Sequence, residues 1–192
     1  MVKYPNAASG LKKVFLAKMI GIIGAVLAIM PFVGGYFSLV CSIAACIFNV
    51  MGILEASKDH DGYRTALSFT VAGLVISVIN TFVDLAVLQS ILGLAESVCE
   101  VAVLYYICRS TSYLLRNMSN FALAGKGDHV WDINKICLII IAVCFVLAFV
   151  PILNILAALT SVVVLVVTVY AGIVYLVFLY QSGQYLSLNT NF

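Results

Sequence analysis

Three long stretches of the chain, 19–54, 65–108 and 136–192, are almost free of charge, and short polar segments separate them. A membrane helix uses ~20 apolar residues, so each stretch is too long for one such helix and suits two. Turn residues divide them. Pro31-Phe32-Val33-Gly34-Gly35 interrupts the first and Pro151 the third, while the break around 83–89 in the second has Asp84 as its only charge. The spacing predicts helices over 11–30, 37–56, 63–82, 90–108, 133–150 and 155–180. The fourth continues in pattern through Tyr113-Leu114-Leu115 with Arg109 and Arg116 interleaved. That extension is expected to lie along the membrane interface or project from it. Gly125-Lys126-Gly127-Asp128 is expected to end it, with Trp131 as an interfacial aromatic anchor. The expected fold is an all-α polytopic membrane protein, a single membrane domain over 1–192. Its six transmembrane helices form three consecutive helical hairpins at about 11–56, 63–112 and 133–180.

The basic residues give this arrangement a direction. All ten, Lys3, Lys12, Lys13, Lys18, Lys58, Arg64, Arg109, Arg116, Lys126 and Lys135, fall at the same ends of the predicted helices. Positive residues are retained on the cytoplasmic side, which places both termini there, in the plasma membrane for a bacterial protein. Lys18 lies more than a turn inside the first helix and is expected to reach back to the headgroups. The charges also mark a weak internal repeat: Lys13 to Lys58 and Arg64 to Arg109 are each 45 residues apart, and Lys135 to Gln181 is 46. Pro31 and Pro151 stand at matching hairpin tips, with Phe82 in that place in the second unit. Hairpins that dip into the bilayer and return would carry the same charge map.

Composition narrows the class. Only 9% of residues are charged and 64% are hydrophobic, against ~25% charged in a soluble domain, so lipid must be the solvent for most side chains. The net charge of +2 is spread over several segments and forms no stripe for nucleic acid. The partners expected are the lipid bilayer, a second copy or a partner subunit in the membrane, and a small solute or cation. The six cysteines, Cys41, Cys46, Cys99, Cys108, Cys137 and Cys144, contain no C-x-x-C pair and read as small packing residues. No metal site and no cofactor is expected. No A-x-A-like cleavage site follows the first apolar run, so the first helix is expected to stay.

Against this apolar background Glu96 and Glu100 stand out. Four residues apart, they share one helical face, and carboxylates inside a bilayer default to a functional role. Two on one face repel if both are charged, which favours proton uptake by one of them. Asp84, Asn80 and Asn49 complete the candidate ion- or substrate-binding set. The expected activity is that of a small-solute or cation transport component or channel. The alternative is a non-catalytic scaffold or accessory subunit that packs against partner helices or shapes the bilayer. Small-residue ridges at Ala17/Gly21/Ala25, Ser38/Ser42/Cys46, Gly73/Ser77 and Thr168/Gly172 suit close helix packing. His60, between Asp59 and Asp61, and His129, near Asp128 and Asp132, read as solvated loop groups. An enzyme is not expected: the chain has no HExxH and no GxSxG. Asp61-Gly62 opens like the signature of membrane CDP-alcohol phosphotransferases, but Thr65-Ala66 stands where Ala-Arg should follow and the downstream aspartates are missing.

Overall fold

The computed structural model describes residues 4–30, 34–148 and 154–188. It contains six helices: α1 (Pro5–Leu27), α2 (Gly34–Ala56), α3 (Asp61–Thr81), α4 (Ala86–Asn117), α5 (Phe121–Ala148) and α6 (Asn154–Leu188). Pro31 and Pro151, the predicted breaks of the outer hairpins, lie outside the described residues, as does the side chain of Cys144.

Local chemistry sets the helix ends. Pro5 occupies the first turn of α1, where its missing N–H costs nothing. Tyr4 offers no side-chain cap there. The cap comes from the loop after α2: Asp59 accepts from the Ala7 amide at 2.7 Å and from the Asn6 side chain at 2.7 Å. Asp59 is therefore a structural anchor rather than a solvated loop charge. His60 caps α3, its Nδ1 accepting from the Gly62 amide at 3.0 Å.

The α4–α5 corner departs from expectation. Helix α4 runs to Asn117, and Ser119 then takes a left-handed φ of 62°. The Ser119 amide returns to the Arg116 carbonyl and the Asn120 amide to the Leu115 carbonyl, each at 2.9 Å, which is a Schellman closure. Asn120 then caps α5 by accepting from the Leu123 amide at 3.1 Å. Gly125-Lys126-Gly127-Asp128, expected to be a break, lies well inside α5. Tertiary packing overrides the weak helix propensity of its glycines. A Cβ on Gly127 would sit 2.3 Å from Ser112 Oγ and 2.6 Å from Phe178 Cζ, so glycine lets α5 close on both α4 and α6.

Consecutive helices pack in pairs: α1 along α2, α3 along α4, α5 along α6. The first pair is the tightest. A Cβ on Gly10 would meet the Gly52 carbonyl at 2.4 Å, and one on Gly52 would meet the Gly10 carbonyl at 2.7 Å. Weak α2–α3 contacts, α4–α5 contacts and an α6–α1 packing as extensive as that of α5 on α6 close the sequence into a ring.

The core occupies one end of this ring, the base that holds the α2–α3 and α4–α5 loops. Ala7, Leu11 and Val14 of α1 meet Ile53 and Ala56 of α2, Tyr63 and Ala66 of α3, Leu114 and Leu115 of α4, Ala124 and Val130 of α5 and Phe178 and Leu179 of α6. Lys12 reaches Ser187, Lys13 pairs with Glu55 and Lys126 reaches Gln181 across the same end. Away from the base the surface is broadly apolar; Tyr36 is 81% and Phe82 82% exposed.

Among the described residues four helices, α2, α3, α4 and α6, are long and apolar enough to cross a membrane. Six were expected. In α1 the lysines at 12, 13 and 18 leave residues 19–27 as its charge-free part, about 14 Å of helix. In α5 the charge-free part, 136–148, spans about 20 Å. The charge-free part of α1 is short of a ~30 Å hydrocarbon core, and that of α5 is measured only to the last described residue of the helix.

Candidate functional site

Burial along α4 changes in a regular way. Leu115, Thr111 and Cys108 are buried in the base, Leu104 is half-buried against it, and Glu100 and Ser97 are exposed. These positions recur at intervals of three and four residues and so share one line on the helix. Gly93 and Ser90 continue that line, and a Cβ on Gly93 would have no atom within 4 Å. The face of α4 that builds the core at the base thus emerges uncovered further up, with a carboxylate on it.

The same transition occurs on other helices. On α1, Ala7, Leu11 and Val14 are buried, whereas Lys18, next on that line, is exposed. On α3, Tyr63, Ala66 and Thr70 are buried, Ser77 is half-buried and Thr81 exposed. On α6, Phe178, Tyr175 and Ala171 are buried and Thr168 is exposed. The helices meet at the base, and on these four the core-facing line loses cover above it. The residues at that transition are polar: Lys18, Ser77, Ser97, Glu100 and Thr168. Ser97 donates to the Gly93 carbonyl at 2.9 Å and Thr81 to that of Ser77 at 3.0 Å, each within its own helix.

The five residues singled out from the sequence are not gathered into one cluster of contacts. Glu96 is half-buried and Glu100 exposed on α4. Asp84 is exposed in the short connection between α3 and α4. Asn80 lies at the far end of α3, and Asn49 on α2 about 10 Å above Ala56. Asn49 and Asn80 each have a buried side-chain oxygen that accepts no hydrogen bond from the described residues. Cys99, between the two glutamates, packs toward α3, where a Cβ on Gly73 would stand 3.4 Å from its own Cβ. Lys18 is the residue that sequence reasoning assigned elsewhere. Its spacing of seven from Leu11 and eleven from Ala7 was the available signal. A Cβ placed on the ridge residue Gly172 would have no atom of the described residues within 4 Å.

A concavity lies between α4 and α5 near the base. It has a volume of about 430 Å³ and is walled by Tyr105, Arg109, Tyr113, Arg116, Asp128 and Trp131. No group of three or more His, Cys, Asp or Glu residues suited to a metal ion occurs among the described residues. Comparison with protein-family models, with curated proteins and with solved structures finds no match.

Proposed function

We propose that this integral membrane protein is a transport component that passes a small polar solute along the uncovered face of α4, with Glu100 as its contact. The observation that carries the reading is the exposure of Glu100 on the line that forms the core lower down. A carboxylate at mid-helix in lipid costs roughly 2.5–3.5 kcal/mol, and a polar path offsets that cost. Lys18, on the corresponding line of α1, favours a zwitterionic or neutral solute over a bare cation, which it would repel. Glu96, one turn from Glu100, supplies a second carboxylate on the same helix.

Water access tests this. Ser97→Cys in proteoliposomes should react with a charged methanethiosulfonate reagent added in water, and iso-osmotic glycine should drive vesicle swelling that Glu100→Gln abolishes. A Ser97→Cys protein that is inserted yet unreactive, with swelling unchanged in Glu100→Gln, removes the reading.

A second reading, an accessory subunit, is favoured by the empty space at Gly93. There the α4 face receives a helix from another protein or a second copy. Oxidative crosslinking through Ser97→Cys, with no reaction toward the aqueous reagent, selects it.

A further inference from the structure

We infer that the groove between α4 and α5 is a binding site for a phospholipid headgroup, one that carries a phosphodiester and a hydroxyl or ammonium hydrogen-bond donor. The inference rests on membrane insertion, and not on transport.

The groove has a built floor. Cys108 and Ser112 are buried, Ser112 donating to the Ala124 carbonyl at 3.0 Å, and Gly127 completes the floor where any side chain would collide with Ser112. Its walls are charged unequally. At one end Arg116 is hydrogen-bonded to Asp128 and neutralised by it. At the other Arg109 has no carboxylate partner among the described residues. The guanidinium bonds to the Tyr105 hydroxyl and lies 5.6 Å from the centre of that ring. Tyr105 in turn packs on Trp131, with ring centres 4.6 Å apart. Tyr113 borders the groove with its ring 5.0 Å from His60.

Depth identifies the ligand. Arg109 is the first basic residue after the run 65–108, which holds no Lys or Arg, so it stands where hydrocarbon gives way to headgroups. A tyrosine–tryptophan pair is an interfacial anchor at that level. Arg116, seven residues further, is about 10 Å farther from the hydrocarbon. A phosphodiester meets Arg109, whose fork of donors matches phosphate oxygens. The acyl chains then run up the apolar faces of α4 and α5, and the headgroup substituent points toward Asp128. The carboxylate there accepts from a hydroxyl or an ammonium. Phosphatidylglycerol and phosphatidylethanolamine satisfy both ends; phosphatidylcholine has no donor for Asp128.

Native mass spectrometry of the detergent-solubilised protein, titrated with these three lipids and with soluble glycerol phosphate, tests the site. Phosphatidylglycerol or phosphatidylethanolamine should be retained over phosphatidylcholine, and Arg109→Gln should weaken retention about tenfold. Arg109→Lys should keep part of it, and Arg64→Gln, an exposed charge on α3, should leave it unchanged. Equal retention in Arg109→Gln overturns the site. Equal retention of phosphatidylcholine overturns the donor requirement and with it the assignment of Asp128. Displacement by soluble glycerol phosphate would show a soluble ester as the ligand and overturn the lipid assignment. Retention is read without flux, so a failed swelling assay leaves this test intact, whereas a chain released from membranes by alkaline carbonate would remove its basis.

Discussion

Asp59 accepts a hydrogen bond from the Ala7 amide at 2.7 Å, so a loop more than fifty residues along the chain supplies the missing N-terminal cap of the first helix. The contact ties the α2–α3 connection to the start of α1, at the base where all the hairpins meet. Removing a capping carboxylate costs about 1 kcal/mol. Asp59→Ala should therefore lower the melting temperature of the detergent-solubilised protein by several degrees. Asp59→Asn, which keeps an acceptor oxygen, should recover most of the loss. Equal melting of the alanine variant and the parent would show the cap to be energetically idle.

The Gly10–Gly52 crossing gives a second expectation. The nearest obstacle to a Cβ at Gly10 is the Gly52 carbonyl at 2.4 Å, a backbone atom inside a helix that cannot swing aside. Gly10→Ala must push α1 and α2 apart, and overpacking of this kind costs roughly 1–3 kcal/mol. Gly93→Ala meets open space and should leave the fold unchanged. A thermal-shift comparison of the two variants separates tight packing from a general aversion to replacing helical glycine. In helix interiors that replacement ordinarily stabilises by up to ~1 kcal/mol.

Within the base core, the Tyr63 hydroxyl and Thr111 Oγ1 are 2.7 Å apart, both residues fully buried. Thr111 also donates to the Ile107 carbonyl at 2.7 Å, so Tyr63 donates to Thr111. Tyr63→Phe leaves Thr111 with its backbone partner and should cost about 0.5–1.5 kcal/mol. Thr111→Val strands the Tyr63 hydroxyl in an apolar core and should cost more, about 1–3 kcal/mol. The double variant should be less damaging than the sum of the single ones, which a double-mutant cycle on thermal unfolding measures.

What the sequence made legible follows from how local each signal is. The breaks that follow Leu27 and Thr81 were readable because Pro31, Gly34 and Asp84 punctuate them nearby. The exposed carboxylate was readable as an anomaly because α4 carries no other charge before Arg109 than Glu96 and Glu100. Three features were not. The first turns of α5 carry Gly125 and Gly127, which read as breakers; the reason for Gly127 is the approach of Ser112 and Phe178, from other helices. The Asp59 cap joins residues 52 positions apart and leaves no periodic trace. The extent of membrane crossing depended on counting residues 11–18 of α1 as lipid-embedded, whereas Leu11 and Val14 are packed in the protein core.

Lys18 carries the last expectation. It follows Ala7, Leu11 and Val14 on the core-facing line of α1, about 16 Å along the helix from Ala7, and it is exposed. The described ion pairs, Lys13 with Glu55 and Arg116 with Asp128, do not include it. A cation with that placement weakens the bilayer fit of α1, and a helix selected for stability alone would carry an apolar residue there. Lys18→Leu should then stabilise the inserted protein, by up to about 2.5–3.5 kcal/mol if the position is at the bilayer centre, and should reduce glycine-driven swelling. Gain of stability with loss of flux is the trade expected of a residue kept for function. If Lys18→Leu instead destabilises the protein and leaves swelling intact, the lysine serves as a headgroup anchor for α1, and the polar line on α4 must work without a cationic counterpart.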